Sequence, residues 1–248
     1  MGKMGILGMG LRLFLVVVTL VASGLASAGE IAGKIEYIKG QAEVGSESHW
    51  LSAEVGMVVE VGQHVRTGES SRIRIRFVDG SSMQMGGRAE AVIERYAVKK
   101  DAGVVQALLD LIQGRGRFIV EKLKQADSQY QVRLRAVLIG VRGTDILAQS
   151  EAKADHVALV EGRVSLTSEV SREVMLDKGY YARAESGKIQ KPVSIPDTWL
   201  EAFIRDVGLS SAGKARKRGG GGDDGSAPSS VIQQKTVDKL GSPMILPR

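Results

Sequence analysis

The 248-residue sequence contains no cysteine, three histidines and few aromatic residues. Without cysteine the chain can form no disulfide, thiolate metal site or thiol nucleophile, so its stability must come from apolar burial. His49, His64 and His156 do not have the spacing of metal ligands on a helix or a hairpin. Aromatic residues make up 4% of the chain, too few for an extended platform on which sugars could stack. We therefore expect neither a metal site nor a cofactor.

The sequence motifs of common catalytic sites are also missing. Two glycine-rich stretches, residues 114–116 and 140–144, lack the lysine and the spacing of a phosphate-binding loop. The sequence has no Gly-x-Ser-x-Gly element, and no serine has a histidine at a spacing typical of a hydrolase family. Paired-carboxylate catalysis depends on distances that a sequence does not give. We predict that the protein is not an enzyme.

The N-terminal segment, residues 1–28, has the features of a signal peptide. Its two charged residues, Lys3 and Arg12, are basic, and an apolar run occupies residues 13–26. This run is shorter than the roughly 20 residues that a membrane-spanning helix needs. The small residues before Gly29 suit a signal peptidase, so we predict cleavage between Ala28 and Gly29. The remainder would then lie in the periplasm or outside the cell; the alternatives are an uncleaved anchor and a buried helix.

Positive charge is concentrated near the C-terminus. Residues 29–209 contain 25 basic and 25 acidic residues, whereas residues 210–248 contain seven and three. A basic chain often binds nucleic acid or an anionic membrane, but here that inference applies to the tail alone. The composition of residues 210–248, rich in glycine and charge, predicts a flexible tail. Its basic cluster is a candidate contact for glycan or anionic lipid, and we do not expect a nucleic-acid partner.

A strict alternation of side chains predicts a half-buried strand at residues 72–77. Arginines there alternate with Ile73, Ile75 and Phe77, which gives the period of two that strands have. Asp79-Gly80 follows, a pair that suits the positive backbone angles of a tight hairpin turn. Residues 82–85 then resume the alternation.

Further short apolar runs between residues 29 and 192 end at similar turn signals. We predict a hairpin at Glu161-Gly162 and another around Gly179, where residues 173–176 turn into residues 180–183. Regularly spaced short strands of this kind are typical of sandwiches, barrels and solenoids. The sequence therefore predicts an all-β domain at residues 29–192, an antiparallel sandwich- or solenoid-like stack of short hairpins.

Residues 104–112 fit two interpretations. Their apolar spacing also matches a helix that starts after a cap at Asp101. The glycines at 114 and 116 and the apolar run that follows them favour a hairpin, and we therefore predict strands.

Residues 193–209 predict an amphipathic helix that begins at a cap, Asp197, and ends at Gly208. We expect it to pack on the sheet as a lid, and a partner-binding helix is the alternative. The apolar face of the helix consists of Trp199, Leu200, Phe203, Ile204 and Val207.

Several motifs, in matching order, resemble a domain of the FecR family. The most specific part combines residues 140–144, Gly-Val-Arg-Gly-Thr, with residues 67–71 and residues 79–81. The resemblance extends over about residues 31–183. It implies a periplasmic sensing domain, as in regulators of the iron-dicitrate type, where it contacts a TonB-dependent outer-membrane receptor. The matching elements are Gly33-x-Ile35 and residues 40–44, 62–81, 139–145 and 160–164.

The sequence departs from that family in two ways. Similar proteins often have a Thr-Pro pair before the Arg-Gly-Thr strand, where this chain has Leu134-Arg135. Full sensors of the family also have a cytoplasmic anti-sigma domain and a membrane helix, which this sequence does not match. We therefore expect the domain to be shared with the family, but not direct control of a sigma factor.

Residues 142–145 are the main candidate site. We expect Gly143-Thr144 to form a tight bend in which Thr144 bonds the backbone, while Arg142 or Asp145 makes a structural ion pair. The alternative is that Arg142, Thr144 and Asp145 form a recognition surface. The sequence as a whole predicts an exported, non-catalytic protein-interaction or sensing module of the cell envelope. Its expected partner is an envelope protein, such as an outer-membrane receptor, bound by strand addition at a free sheet edge. A structural or glycan-binding envelope protein is the alternative.

Overall fold

The computed structural model describes residues 29–46, 48–99 and 102–208, which form β-strands and one helix. The predicted signal peptide, the alternative cap at Asp101 and the tail at 210–248 lie outside these residues. The elements are β1 (Ile31–Lys39), β2 (Ala42–Ser46), β3 (His49–Ser52), β4 (Val58–Glu60), β5 (His64–Thr67), β6 (Arg72–Phe77), β7 (Ser82–Met85), β8 (Glu90–Lys99), β9 (Val104–Ile119), β10 (Gln129–Arg133), β11 (Leu138–Val141), β12 (Asp145–Ser150), β13 (Ala154–Glu161), β14 (Arg163–Thr167), β15 (Val174–Asp177), β16 (Tyr180–Glu185), β17 (Lys188–Ile189), β18 (Val193–Ser194) and α1 (Asp197–Val207).

The strands form two sheets. Sheet A has the order β4-β1-β6-β7-β9-β12-β13-β16, and the short strands β17 and β18 both pair with β16. Sheet B has the order β3-β2-β5-β8-β9-β10-β11-β14-β15. Within the described residues neither sheet closes on itself. The predicted all-β, sandwich-like fold is therefore confirmed.

The core lies between the two sheets because strand residues alternate between two faces. On β6, Ile73, Ile75 and Phe77 are buried, and the arginines between them are partly exposed. The inner faces of both sheets contribute to one continuous apolar cluster, which includes Phe118 from sheet A and Leu109 from sheet B. Burial of apolar surface stabilises the fold by roughly 25 cal/mol per Å² removed from water.

Long strands pass from one sheet to the other at sharp bends, and β9 is the simplest case. Residues 104–113 pair with β8 in sheet B, whereas residues 114–119 pair with β12 in sheet A. Gly114, at the bend, has a φ of 86°, and a Cβ there would lie 2.6 Å from the Cα of Ala89. Only glycine fits this bend without displacing the neighbouring strand.

The strand prediction for residues 104–112 is therefore correct, but the hairpin predicted at residues 114–116 is wrong. The glycines bend a continuous strand instead of reversing it, because the two halves of β9 find partners in different sheets. Residues 120–128 then return the chain to sheet B, where β10 runs parallel to β9. All other strand pairs in the described part of the chain are antiparallel.

The turn at Asp79-Gly80 joins two strands that pair directly, with Arg76 opposite Ser82. Gly80 has a φ of 91°, as such a tight turn requires. The Asp79 carboxylate accepts hydrogen bonds from the backbone N–H and the hydroxyl of Ser81, at 2.9 and 2.8 Å. The N–H of Gly80 also donates to the carbonyl of Phe77 at 3.0 Å, so the Asp79 side chain reinforces the backbone bond of the turn.

The hairpins predicted at Glu161-Gly162 and at Gly179 are corrected by the strand pairing. β13 pairs with β12 and β16 in sheet A, whereas β14 pairs with β11 and β15 in sheet B. Glu161-Gly162 therefore forms a corner between the sheets, and Gly179 forms another between β15 and β16. Gly162 and Gly179 have φ values of 92° and 82°. A corner and a hairpin turn both need such angles, so the local sequence signal is the same for both.

Helix α1 packs on the outer face of sheet A, in agreement with the prediction that it covers the sheet as a lid. Phe203 and Val207 are buried in a second apolar cluster with Leu147, Val160 and Tyr181 of the sheet. These sheet residues alternate with those of the main core, so the helix covers the opposite face of β12, β13 and β16. No helix within the described residues has the length and apolar character needed to cross a membrane.

The ends of α1 differ from the prediction in one respect. Asp197 is the first helical residue, and Pro196 takes the cap position without a side-chain hydrogen bond. The predicted Asp197 cap is wrong because proline, with its fixed φ, already sets the entry into the helix. Gly208 ends the helix with a φ of 74°, as predicted.

The C-terminal end of α1 is held to the sheet by polar contacts. Arg72 donates from Nε to the carbonyl of Asp206 at 2.6 Å and from Nη2 to the carbonyl of Arg205 at 2.5 Å. The Asp206 carboxylate accepts hydrogen bonds from the N–H of Gly87 and from Arg115, at 3.0 and 3.2 Å. Cationic groups at a helix C-terminus stabilise its free carbonyls.

We predict that Phe203→Ala lowers the free energy of unfolding by about 3 kcal/mol, because it removes a fully buried aromatic ring and leaves a cavity. Denaturant unfolding followed by tryptophan fluorescence measures this, since Trp199 contacts the ring. Glu201→Ala, on the exposed side of the same helix, is the control and should change stability by less than about 0.5 kcal/mol. Equal losses in the two variants would show that the helix is not docked.

Candidate functional site

An open cleft of about 1120 Å³ lies where β11 leads into β12. Residues 119–122 form one wall, and the corners at residues 142–145 and 161–163 form another. Outward-facing residues of sheet B, among them Gly140, Ser165 and Met175, complete the lining. The cleft therefore brings all four residues of the predicted site together with the corner at Glu161-Gly162.

The corner itself is closely packed around two glycines. Gly143 has a φ of 83°, and a Cβ there would lie 2.8 Å from the Cα of Lys122. A Cβ on Gly162 would lie 2.6 Å from Cγ2 of Thr144. The N–H of Val120 donates to the carbonyl of Thr144 at 2.8 Å, which fastens the segment after β9 to the corner. The bend expected at Gly143-Thr144 is thus present.

Asp145 makes a buried ion pair with Arg117, on the neighbouring strand β9. Arg117 donates from Nε to Oδ1 at 2.8 Å and from Nη2 to Oδ2 at 2.6 Å. The two side chains are 5% and 12% exposed. Two parallel charge-assisted hydrogen bonds fix the relative position of β9 and β12 at the mouth of the cleft. If either side chain lost its partner, the other would be an uncompensated charge in a poorly hydrated position.

The Thr144 side chain does not bond the backbone, so that expectation is wrong. It is 4% exposed, and its Oγ1 has no hydrogen-bond partner within the described structure. The methyl group of Thr144 packs against Gly162, where a Cβ would lie 2.6 Å from it. A buried hydroxyl without a partner costs about 1–3 kcal/mol.

The charges around the cleft are balanced in sign. Arg117 and Arg163 are already paired, with Asp145 and Asp177 respectively. Arg142 is exposed and, like Lys122, makes no ion pair within the described residues. The lining residues include four bases and four acids: Arg117, Lys122, Arg142, Arg163, Glu121, Asp145, Glu161 and Glu173. A surface of mixed sign suits a polar protein partner better than a polyanion.

The Asp79-Gly80 turn lies beside the same wall of the cleft. The hydroxyl of Ser81 accepts a hydrogen bond from the N–H of Glu121 at 3.0 Å. Asp79 also accepts a bond from the hydroxyl of Tyr96 at 2.7 Å, and Tyr96 contacts Tyr130, a cleft residue, edge to face. Burial raises the pKa of Tyr130, so it stays a neutral phenol. These contacts give the wall a rigid support from the core.

The remaining sequence-predicted positions lie elsewhere. Gly179 is at the far end of β15, where its N–H donates to the carbonyl of Leu159 at 2.8 Å. Gly29 precedes β1, away from the cleft, and Ala28 is outside the described residues. Within residues 29–46, 48–99 and 102–208, no three metal-binding side chains come together.

Sequence reasoning missed three contributors to the cleft: Arg117, the Gly140–Ser165 floor and the edge strand β15. Gly140 and Ser165 lie directly opposite each other on β11 and β14, and their small size creates the floor. Arg117 had a weak signal, since Arg115 and Arg117 alternate with Gly116 and Phe118 as strand residues do. The partner of Arg117 depends on strand register, for which the sequence carries no local signal.

A family model described as FecR protein matches residues 63–165. The chain contains a FecR domain. The matched residues extend from the start of β5 to β14, so this FecR domain includes both corners of the cleft. Strand β15 and helix α1 lie beyond the matched residues. The resemblance identified in the sequence is thereby confirmed.

Two crystal structures of a proposed anti-sigma factor from Parabacteroides distasonis ATCC 8503 are similar to the chain. Their sequence identities are 15% and 14%, and their TM-scores are 0.47 and 0.46. Each match covers 57% of this chain and 63% or 64% of the other. The chain thus spans less than two thirds of the length of these structures. No curated protein matches the sequence.

We predict that Gly162→Ala destabilises the FecR domain more than Gly179→Ala. Both positions have a positive φ, which costs an alanine about 1–2 kcal/mol. A Cβ at Gly179 meets no atom within 4 Å, whereas at Gly162 it collides with Thr144 and the carbonyl of Gly143. Thermal unfolding of the two variants measures the difference. Equal thermal midpoints of the two variants would show that the corner has room for a Cβ at residue 162, which would contradict the close packing described above.

We predict strong coupling between Arg117 and Asp145. Arg117→Met and Asp145→Leu should each lower the free energy of unfolding by about 3 kcal/mol, because each leaves a buried group uncompensated. The double variant should lose less than the sum of the two, since both charges are then removed. Denaturant unfolding of the original chain, the two single variants and the double variant gives the four stabilities of this double-mutant cycle. Additive losses would contradict the ion pair.

Proposed function

We propose that the chain is an exported, non-catalytic protein-interaction or sensing module of the periplasm or cell envelope. A FecR domain supports a sensing or regulatory role. The proposed partner is an envelope protein, such as an outer-membrane receptor, and the proposed binding surface is the corner cleft together with the edge of β15.

The observation that carries this proposal is a free strand edge beside the cleft. β15 pairs with β14, and no other described strand pairs with its far side. Glu173 lies just before this strand and Met175 lies within it. Both residues line the cleft, and Met175 is 50% exposed. An edge strand presents unpaired backbone groups that an extended segment of another protein can bind.

The other edges fit this role less well. β4, at one edge of sheet A, has three residues, and β17 and β18, at the other, have two each. β3, at the far edge of sheet B, has four residues but borders no part of the cleft. At β15 an added strand would gain backbone bonds beside a cleft whose lining includes the exposed Arg142.

Export is supported by the sequence of residues 1–28, in which an apolar run follows basic residues and ends in small ones. The absence of a catalytic role is supported by the motifs that the sequence lacks and by the balance of positive and negative charges around the cleft. A sensing module needs a specific surface and a partner, and neither requires bond-making chemistry.

We predict that Ser165→Tyr abolishes partner binding without unfolding the domain. Ser165 faces the cleft, and the opposite residue, Gly140, leaves room for a ring above the sheet. The measurement uses a photo-crosslinking amino acid at Met175 in cells and scores the covalent adduct with an envelope protein. The adduct should be lost in Ser165→Tyr.

Two controls make this result interpretable. Thr167→Tyr adds the same ring to the same face of β14, but outside the cleft, and should keep the adduct. A crosslinker at Arg95, exposed on the doubly paired strand β8, should give none. The proposal fails if both tyrosine variants behave alike, or if Arg95 captures the same protein as Met175.

A further inference from the structure

A row of basic side chains covers the outer face of β1 and β6, on the part of sheet A that α1 leaves open. We name Lys34, Lys39, Arg72, Arg74 and Arg76 the basic face. Lys34 and Lys39 are exposed, and the three arginines are partly exposed. The apolar side of helix α1 packs on β12, β13 and β16, and the C-terminal end of the helix extends to Gln84 of β7 and to Arg72 of the basic face.

The strand register places like charges directly opposite each other. Lys34 is opposite Arg76 and Lys39 is opposite Arg72 on the antiparallel pair of β1 and β6. Cross-strand pairs of like charge destabilise a sheet, so folding alone would favour other residues here. Two such pairs on one face indicate that the positive charge serves binding rather than stability.

Little of this charge is neutralised by the rest of the chain. Arg76 pairs with Glu36, at 3.0 Å from Nε to Oε1. Arg72 donates to the helix carbonyls, which carry no net charge. Lys34, Lys39 and Arg74 make no ion pair and no side-chain hydrogen bond within the described structure. The face therefore presents four uncompensated positive charges to solvent or a ligand.

Exposed apolar side chains lie among these bases. Tyr37 is opposite Arg74 and is 41% exposed, and Val58 is opposite Lys34 and is 38% exposed. Val78 continues the outward alternation of β6 and is 47% exposed. A tyrosine and aliphatic residues between bases are typical of surfaces that lie at the membrane interface. A soluble polyanion would not need them.

We propose that the basic face docks the protein on an anionic phospholipid surface. Lysine and arginine would contact the lipid phosphates, and Tyr37, Val58 and Val78 would enter the headgroup region. This docking surface is separate from the cleft, and neither depends on the other. Binding of one partner at the cleft and of lipid at the basic face can occur together.

The test measures sedimentation of the full chain with phosphatidylcholine vesicles, with and without phosphatidylglycerol. We expect binding only to the anionic vesicles, and weaker binding at high salt. The triple variant Lys34→Gln/Lys39→Gln/Arg74→Gln should bind on the order of a hundredfold more weakly, at about fivefold for each base removed. Its thermal midpoint should not fall, because the like-charge pairs are relieved.

A matched control removes three exposed bases from elsewhere, in Arg95→Gln/Arg135→Gln/Lys153→Gln, and should bind like the original chain. The single variants Lys34→Gln and Lys39→Gln give a graded readout if the triple variant folds poorly. Tyr37→Ser should weaken vesicle binding but not binding to polyglutamate. The proposal is overturned if anionic vesicles are not bound, if both triple variants weaken equally, or if polyglutamate binds more tightly than vesicles.

Discussion

Paired strands in this fold must bend together, and the site follows from that constraint. β11 and β12 form one bent strand, β13 and β14 form the next, and they pair along both sheets. A corner in one bent strand therefore requires a corner beside it in its neighbour. Gly143 and Gly162 meet this requirement in direct contact, since a Cβ on Gly162 would lie 2.9 Å from the carbonyl of Gly143. The Arg-Gly-Thr-Asp segment is thus held at a strand crossing, where Arg142 is exposed and Thr144 and Asp145 are buried.

The faces of the sheets could be predicted from the sequence, but the partners of the strands could not. Alternation in β6 correctly assigned Ile73, Ile75 and Phe77 to the core, because side-chain direction is a local property. The glycines at 162 and 179 gave the same local signal as Gly80, yet they are corners and not hairpin turns. Which turn forms depends on whether the flanking strands pair with each other, and that is a long-range outcome.

The candidate site also combines features that the sequence predicts with contacts that it does not predict. Residues 142–145 stood out by their motif, and the structure places them together at the cleft. The ion-pair partner of Asp145 is Arg117, 28 residues earlier, and this choice follows from the register of β12 on β9. The hydroxyl of Thr144 differs from expectation because burial in the bend separates it from the backbone. Long-range register and local crowding, which are both tertiary effects, therefore decide the chemistry of the cleft.

The two proposed surfaces are joined by one cross-strand row, which gives them a fixed mutual orientation. Arg74 on β6 is opposite Gln84 on β7, and Gln84 is opposite Arg117 on β9, at the cleft. A lipid surface at the basic face would therefore contact sheet A, whereas β15 lies in sheet B, at the edge opposite β3. Because the sheets are the two layers of a sandwich, contact of the basic face with lipid leaves the edge of β15 accessible. A rigid β-framework of this kind can present a protein-binding edge away from a membrane without any flexible joint between the two surfaces.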